Sequence, residues 1–368
     1  MDLFMFMFLL DCAHAHLFSF FLFLPTTYRA AHPKYNTKKA APFLPHQQTM
    51  DHILRAVGWF VRTPETPQGS AKLLSIPLSH YCEKARWALD LSPFRNTYVE
   101  EAHAPVFHIK PAISLTNKRS ATSAPILVLS GNSASDPPTI IQDSAEILAH
   151  LAKTFPAELG HLYPPGEEGN RVRALEQELG KRLGPQSRKL VYWAMWQARQ
   201  EGLATVNPLL EAHLPKAEAM LWNLGEGKIL PRMMQVMNID AASVVTALDD
   251  CRQVFKEASA MLAGDGEGEG QGEQRKYLLG GERMTAADLT LAALAYPLVK
   301  PPAFVSLGLS GPSASPWTTK LADLSAEFRA TPAGQHVLRL YAEERFPAGE
   351  ETSRLCLRTV DCNKMPWQ

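Results

Sequence analysis

The sequence predicts a small mixed α/β domain followed by an all-helical one, and three observations lead there. An apolar run, Leu73-Leu74-Ser75-Ile76-Pro77-Leu78, passes directly into Ser79-His80-Tyr81-Cys82-Glu83-Lys84-Ala85-Arg86-Trp87-Ala88-Leu89, which reads as a strand, a tight turn and the first turns of a helix. Between residues 71 and 156 the pattern continues as strand, helix, strand, irregular segment and helix, strand, strand, helix. From about residue 168 onward the periodicity is helical.

The first helix is supported by Ala85, Ala88 and Leu89 at helical spacing. Glu83 and Arg86, then Arg86 and Asp90, can pair across one turn, and Ser92-Pro93 stops the helix. Pro125, at the start of the run Ile126-Leu127-Val128, stands where a strand tolerates proline. Asp143 and Glu146 have capping-box spacing. The hairpin loop 130–138 is longer than a minimal turn. Residues 171–202 read as one long helix kinked at Gly184-Pro185, 241–262 as another, and 285–298 as a buried one with Met284 and Leu289 placed as a hydrophobic staple. The Gly- and Glu-rich stretch 264–273 reads as an acidic surface loop.

Composition bounds the function. At 368 residues there is room for two domains, and 46% hydrophobic residues can fill their cores. A formal net charge of zero gives no general attraction to nucleic acid or anionic lipid. Cys12, Cys82, Cys251, Cys356 and Cys362 are odd in number and scattered, which argues against a disulfide scaffold and for a reducing compartment. There is no Gly-x-Gly-x-x-Gly, no phosphate-loop lysine motif, no His-Glu-x-x-His and no paired Cys-x-x-Cys, so no metal is expected.

Residues 1–71 read as an N-terminal extension. Its apolar runs are too short for an ordinary spanning helix, and 12–50 holds Arg29, Lys34, Lys38 and Lys39 without an acidic residue, like an organelle transit segment. A start at Met50, with the preceding residues a gene-model extension, is the equal alternative. The expected compartment is cytoplasmic, or a plastid or mitochondrion if the extension is real. The expected domains are 72–156 and 168–346, with 347–368 a tail.

Ser79 and Cys82 stand where the unpaired N–H groups and the positive dipole end of a helix converge, a geometry that suits a sulfur anion. On these residues the segment resembles the glutathione transferase version of the thioredoxin motif, with Ser79 where glutaredoxins carry their first cysteine. Ala121-Thr122-Ser123-Ala124-Pro125 resembles the segment carrying that family's cis-proline, and Gln142-Asp143-Ser144 its acidic-Ser pair. Tyr277-Leu278-Leu279-Gly280-Gly281-Glu282-Arg283-Met284-Thr285-Ala286-Ala287-Asp288-Leu289 is similar to its helical-domain signature, in which Thr caps a buried helix and Asp reciprocates. The resemblance extends from 73 to 345 and is nearest to a serine-type subgroup, through His103-Ala104-Pro105, Leu183-Gly184-Pro185 with Arg188 and Tyr192, Tyr296-Pro297-Leu298-Val299 and Thr331-Pro332-Ala333-Gly334.

The resemblance implies a thioredoxin-like domain followed by an all-helical glutathione transferase domain, glutathione as co-substrate, a small electrophile as second substrate, and a homodimer. It implies Ser79 as the group that activates the thiolate, with Tyr81, Cys82, Ala124 and Pro125 along the tripeptide and Asp143 and Ser144 on its γ-glutamyl end. The usual basic residue before the proline is missing, so Lys118 or Arg119 is expected at the glycyl carboxylate. Tyr192, Trp193 and Trp196 would wall the electrophile pocket, or else form core. Ser79 could equally be a helix cap alone, Tyr81 and Cys82 could be packed against the first strand, and His103 and His108 could touch the site or lie in the core. Two other functions stay open: a non-catalytic binding module on the same fold, and a thiol oxidoreductase built on Cys82.

Overall fold

β1 (Ala71–Ser75) is buried along its whole length, because it lies inside a four-stranded sheet of order β2-β1-β3-β4 covered on both faces. The computed structural model describes residues 69–346 except 121, 132, 134–135, 202–213, 265–274 and 303–315, and for 316–322 the backbone alone. The chain divides into Met1–Pro64, which lies outside the described residues, and Glu65–Gln368. The expected N-terminal extension, the start at Met50, most of the acidic loop at 264–273 and the tail from 347 therefore fall outside them.

β1 pairs in parallel with β2 (Val99–Ala102) and antiparallel with β3 (Ile126–Leu129), which pairs antiparallel with β4 (Thr139–Gln142). Between β1 and β2 comes α1 (His80–Leu91), between β2 and β3 comes α2 (Ile109–Thr116), and after β4 comes α3 (Ser144–Thr154). The period of two along the strands sorts their side chains. Leu73 and Leu127 join Trp87, Leu89, Ile147 and Leu151 of α1 and α3, while Leu74 and Ile126 turn the other way onto Ala112 of α2. This is a thioredoxin-like arrangement, as the resemblance implied.

The short α4 (Pro156–Leu159) leads to the helical half: α5 (Gly166–Gln200), α6 (Lys216–Val236), α7 (Ala241–Ala263), α8 (Ala286–Val299), α9 (Pro316–Ala330) and α10 (Pro332–Leu340). α5 starts at Gly166, ahead of the expected 171, and continues through Pro185. In α8 every residue except Pro297 is buried, which requires neighbours on all sides; α5, α10 and α1 provide them. α1 thus belongs to both halves, covering the sheet and abutting the helical domain.

That double burial keeps the Glu83–Arg86 pair expected on α1 only as a loose contact and replaces the expected Arg86–Asp90 pair. Glu83, Lys84 and Arg86 are all buried and find partners far away. Arg86 bonds Glu100 of β2 at 2.8 Å and the Ile76 carbonyl at 3.2 Å, with Glu83 a looser 3.6 Å. Asp90 is taken by Arg345 at 2.5 Å, and Arg345 also holds Glu83 at 2.9 Å. Lys84 meets Glu176 of α5 at 2.6 Å, and Tyr163 donates to the same carboxylate at 2.7 Å. A charge inside a fold must be paired or it is severely destabilising, so these pairs fix how the end of the helical half sits against α1.

Candidate functional site

The sheet gathers the predicted residues at one of its ends. Leu74 at the end of β1 pairs with Ile126 at the start of β3, Ile126 pairs with Gln142 at the end of β4, and Ser75 pairs with Ala102 at the end of β2. The residues next to these four strand ends are Ser79, Pro125, Asp143 and His103. Asp143 N–H donates to the Pro125 carbonyl at 3.3 Å, and the Gln142 amide donates to the Ser123 carbonyl at 3.1 Å and hydroxyl at 3.0 Å, joining the segments directly. The Ala124–Pro125 peptide is cis.

Ser79 is the N-cap of α1, with extended backbone at φ −77° and ψ 121°. Its Oγ accepts a long bond, 3.4 Å, from Cys82 N–H, and its hydroxyl also acts on the Cys82 sulfur. The hydroxyl is half-exposed at the positive end of the helix dipole, where an anion is a better acceptor than a neutral thiol. The turn carrying it is pinned from two sides. Tyr296 of α8 donates to the Leu78 carbonyl at 2.6 Å, and buried His80 donates through Nε2 to the Gly184 carbonyl of α5 at 2.9 Å. Burial, helped by the Arg188 charge, holds the His80 pKa down at about 3, so this donor is a neutral imidazole.

Cys82 lies on the inner side of the same turn. Its sulfur is fully buried and accepts from Ile76 N–H at 3.3 Å. Burial pushes its pKa up, against the opposing pull of Arg86 and the bonds from Ile76 and Ser79, so it is a thiol. Its side chain does not join a ligand-facing surface, and a protonated, enclosed thiol has no thiolate to offer for disulfide exchange. Tyr81 is half-buried with its ring 4.3 Å from that of His80. Its phenol is raised by burial, lowered by Arg188 on one side and raised by Asp143 on the other.

Asp143 caps α3, but differently from the expected box. Its φ of 86° is left-handed, rare for a residue with a side chain, and turns the carboxylate so that Oδ1 accepts from Ala145 N–H at 2.8 Å. Glu146 makes no reciprocal bond among the described residues. Asp143 is exposed and its Oδ2 has no described partner, while Ser144 behind it is buried.

The histidines are core. His103 sits between Glu101 at 3.0 Å and Glu218 of α6 at 2.7 Å, and Glu218 also accepts from Ala104 N–H at 3.1 Å. Both ring nitrogens face carboxylates, so both carry hydrogens. Burial alone would lower its pKa, yet these two bonds raise it to about 9. His108, neutral because burial drops its pKa to about 4, donates to the Thr122 carbonyl at 3.0 Å and so holds the chain ahead of Pro125. Lys118 and Arg119 lie exposed in the turn after α2, with no ion pair among the described residues.

The aromatic residues of α5 separate. Tyr192, Trp193 and Trp196 are half-buried and pack against Leu230, Met234 and Ile239 from α6 and its C-terminal turn, a second core cluster. The Tyr192 phenol is pushed up to about 12 by burial, with Arg188 lowering it and Cys82 raising it. Sequence reasoning gave no role to Arg188, to the Tyr296 hydroxyl or to the His80–Gly184 bond. The signal for the last was Gly184 itself, where a Cβ would come within 2.3 Å of the Tyr81 hydroxyl oxygen. Among the described residues no group of three His, Cys, Asp or Glu side chains could hold a metal ion, and no helix is long and apolar enough to cross a membrane.

Residues 73–159 match the family model of the glutathione S-transferase N-terminal domain. No curated protein matches the chain. Among solved structures, the chain is similar to a glutathione transferase family member from Pseudomonas fluorescens Pf-5 with two glutathione bound (15% identity, TM-score 0.40, covering 77% of this chain and 96% of that one). It is similar also to Gtt2 from Saccharomyces cerevisiae (14%, 0.41, 73% and 100%) and to glutathione transferase F7 from Populus trichocarpa (16%, 0.40, 73% and 97%).

Proposed function

We propose that the protein binds glutathione and holds its thiolate at Ser79, for attack on a small electrophile or for glutathione-dependent reduction. The observation that carries this reading is the Ser79 hydroxyl, which caps α1 through one long bond and lies half-exposed at the helix N-terminus. A cysteine-like thiol has a pKa of about 8.5, and lowering it by two units takes about 2.7 kcal/mol of preference for the anion. A hydrogen bond to a charged group contributes about 1.5–3 kcal/mol and a helix N-terminus about 0.3–1 kcal/mol. Together they suffice without a further group.

In this reading the backbone at Ala124 pairs with the cysteinyl part of the tripeptide, along the edge that Pro125 begins. Asp143 Oδ2 takes the γ-glutamyl ammonium, and Ser144 with the N-terminus of α3 takes its carboxylate. Lys118 or Arg119 reaches the glycyl carboxylate. The second substrate is a small electrophile, the assembly is a homodimer, and the compartment is a reducing one, in keeping with free Cys82 and Cys251.

Calorimetry with glutathione tests the binding step: the wild type should bind, and Asp143→Ala with Ser144→Ala should not. A panel of electrophiles then tests turnover. A second reading, a non-catalytic module on this fold, is favoured by the exposed and unpaired Lys118 and Arg119, which leave the glycyl end without a built partner. A wild type that binds no glutathione would move the assignment there. The Cys82 oxidoreductase loses its support to the burial of the sulfur.

A further inference from the structure

One face of α5 passes the Ser79 end of α1, and residues four apart along it do different things there. Gly184 is the point of contact, bonded to His80 and pressed against Tyr81. Arg188 is one turn further and Tyr192 one turn beyond that. The Arg188 charge acts on all three rings around it, lowering the pKa of His80 and drawing those of Tyr81 and Tyr192 down against burial. Arg188 lies one turn along the same face of α5 from the Gly184 contact with His80 and Tyr81, on the side of the turn that begins with Ser79.

No carboxylate answers it. Among the described residues Arg188 has no salt bridge, and its Nε is buried with no hydrogen-bond partner. The other cations of this interior are paired: Lys84 with Glu176, Arg86 with Glu100, and Arg345 with Glu83 and Asp90. The acid that shares Tyr81 with it, Asp143, acts from the α3 side. A partly buried guanidinium without a counter-charge, on the helix face that meets the Ser79 turn, is arranged to receive an anion, and its planar fork fits a carboxylate through two parallel bonds.

We propose that Arg188 binds a carboxylate of the second substrate, so that the electrophiles this protein prefers are carboxylate-bearing ones. The inference rests on the reading of Ser79 as the thiolate site. Glutathione's groups are assigned to the sheet half, at Ser79, Ala124 and Asp143-Ser144, and the electrophile must reach the thiolate from the other side, where Arg188 stands on the helical half. For an alkene conjugated to a ketone, the thiolate forms the C–S bond at the β-carbon and the π pair moves to the carbonyl oxygen. The resulting enolate takes a proton from water at carbon, replacing the one glutathione lost. Arg188, holding a carboxylate elsewhere on the same molecule, aims the β-carbon and is unchanged by the step.

The test compares ethacrynic acid with its methyl ester, in the wild type, Arg188→Gln and Arg188→Lys, with glutathione calorimetry on each. The expected wild type prefers the acid. In R188Q kcat/KM for the acid falls roughly 10- to 100-fold, mainly through KM, the range set by one hydrogen bond to a charged group. The ester loses much less, so the acid-to-ester ratio collapses, and R188K recovers part of it. Equal losses on acid and ester, or turnover of both by the wild type without a preference for the acid, would overturn the inference while leaving the thiolate reading intact. So would a loss of glutathione affinity in R188Q, which would give Arg188 to glutathione instead. No glutathione-dependent turnover of either compound by the wild type would overturn the thiolate reading and this inference together.

Discussion

α1 and α8 both begin on a hydroxyl residue, and the two starts are built for opposite ends. At the start of α8, Asp288 accepts from Leu278 N–H at 2.8 Å, Thr285 N–H at 3.0 Å, the Thr285 hydroxyl at 2.7 Å and His336 Nε2 at 3.0 Å, all of it buried. At the start of α1, Ser79 has one bond of 3.4 Å and lies half-exposed. The first start is closed, with its donors spent on one carboxylate. The second is open, with a half-exposed hydroxyl whose neighbours are one long bond and a neutral thiol, at the end of the helix dipole. A cap that is complete stabilises the fold, and a cap left incomplete has something to give a ligand.

Breaking the closed start should have the largest effect. Asp288→Ala leaves buried donors from three segments without an acceptor, and should cost about 3–5 kcal/mol of stability in urea unfolding, close to the whole stability of a marginal protein. Closing the open start should come next. Ser79→Asp supplies a good cap but puts a negative charge where the thiolate would sit, so glutathione-dependent turnover should fall more than 100-fold while the unfolding midpoint moves little.

Ser79→Ala should lower kcat/KM roughly 10- to 100-fold and raise the pKa of bound glutathione, read from thiolate absorbance, with under about 1 kcal/mol lost in stability. If S79A unfolds as readily as D288A, the two starts are not different in kind.

Acid should act more gently on the open start, through its neighbour. His80 is held neutral in the folded chain with its pKa lowered to about 3. Its contribution to stability is complete above the ordinary value near 6.5 and is lost as pH falls below that toward 3. About 1–2 kcal/mol should go by pH 5, and His80→Gln should flatten that limb in a thermal scan against pH.

Much of this fold was legible because its signals are local. The run 73–78 into 79–89, the spacing of 241–262 and the Thr285–Asp288 pair each specify an element from neighbours within a turn, and the structure has β1, α1, α7 and α8 there. Ser79 as a cap was legible for the same reason. Asp143 was legible as a cap but not in its geometry, since the left-handed backbone that sends its carboxylate to Ala145 depends on β4 ending against Pro125. The aromatic stripe Tyr192, Trp193 and Trp196 left core and pocket equally open, because helical spacing says which side chains share a face and not what lies opposite it.

The sequence by itself determined the order of strands and helices, the caps that start α1 and α8, and the residue types brought to the end of the sheet. Each rests on hydrogen bonds and burial within a few residues. Only the tertiary structure decided which charges would meet. Glu83 keeps only a loose 3.6 Å pair with Arg86 one turn away, and buried between sheet and helices it is held more closely, at 2.9 Å, by Arg345 from the end of the helical half. Arg188, marked in the sequence only by the resemblance, has a buried Nε without a partner and no described carboxylate pair on the face of α5 that meets the Ser79 turn. Burial makes an unpaired charge costly, so the packing of distant segments sets which charges are satisfied, and which one is left for a ligand.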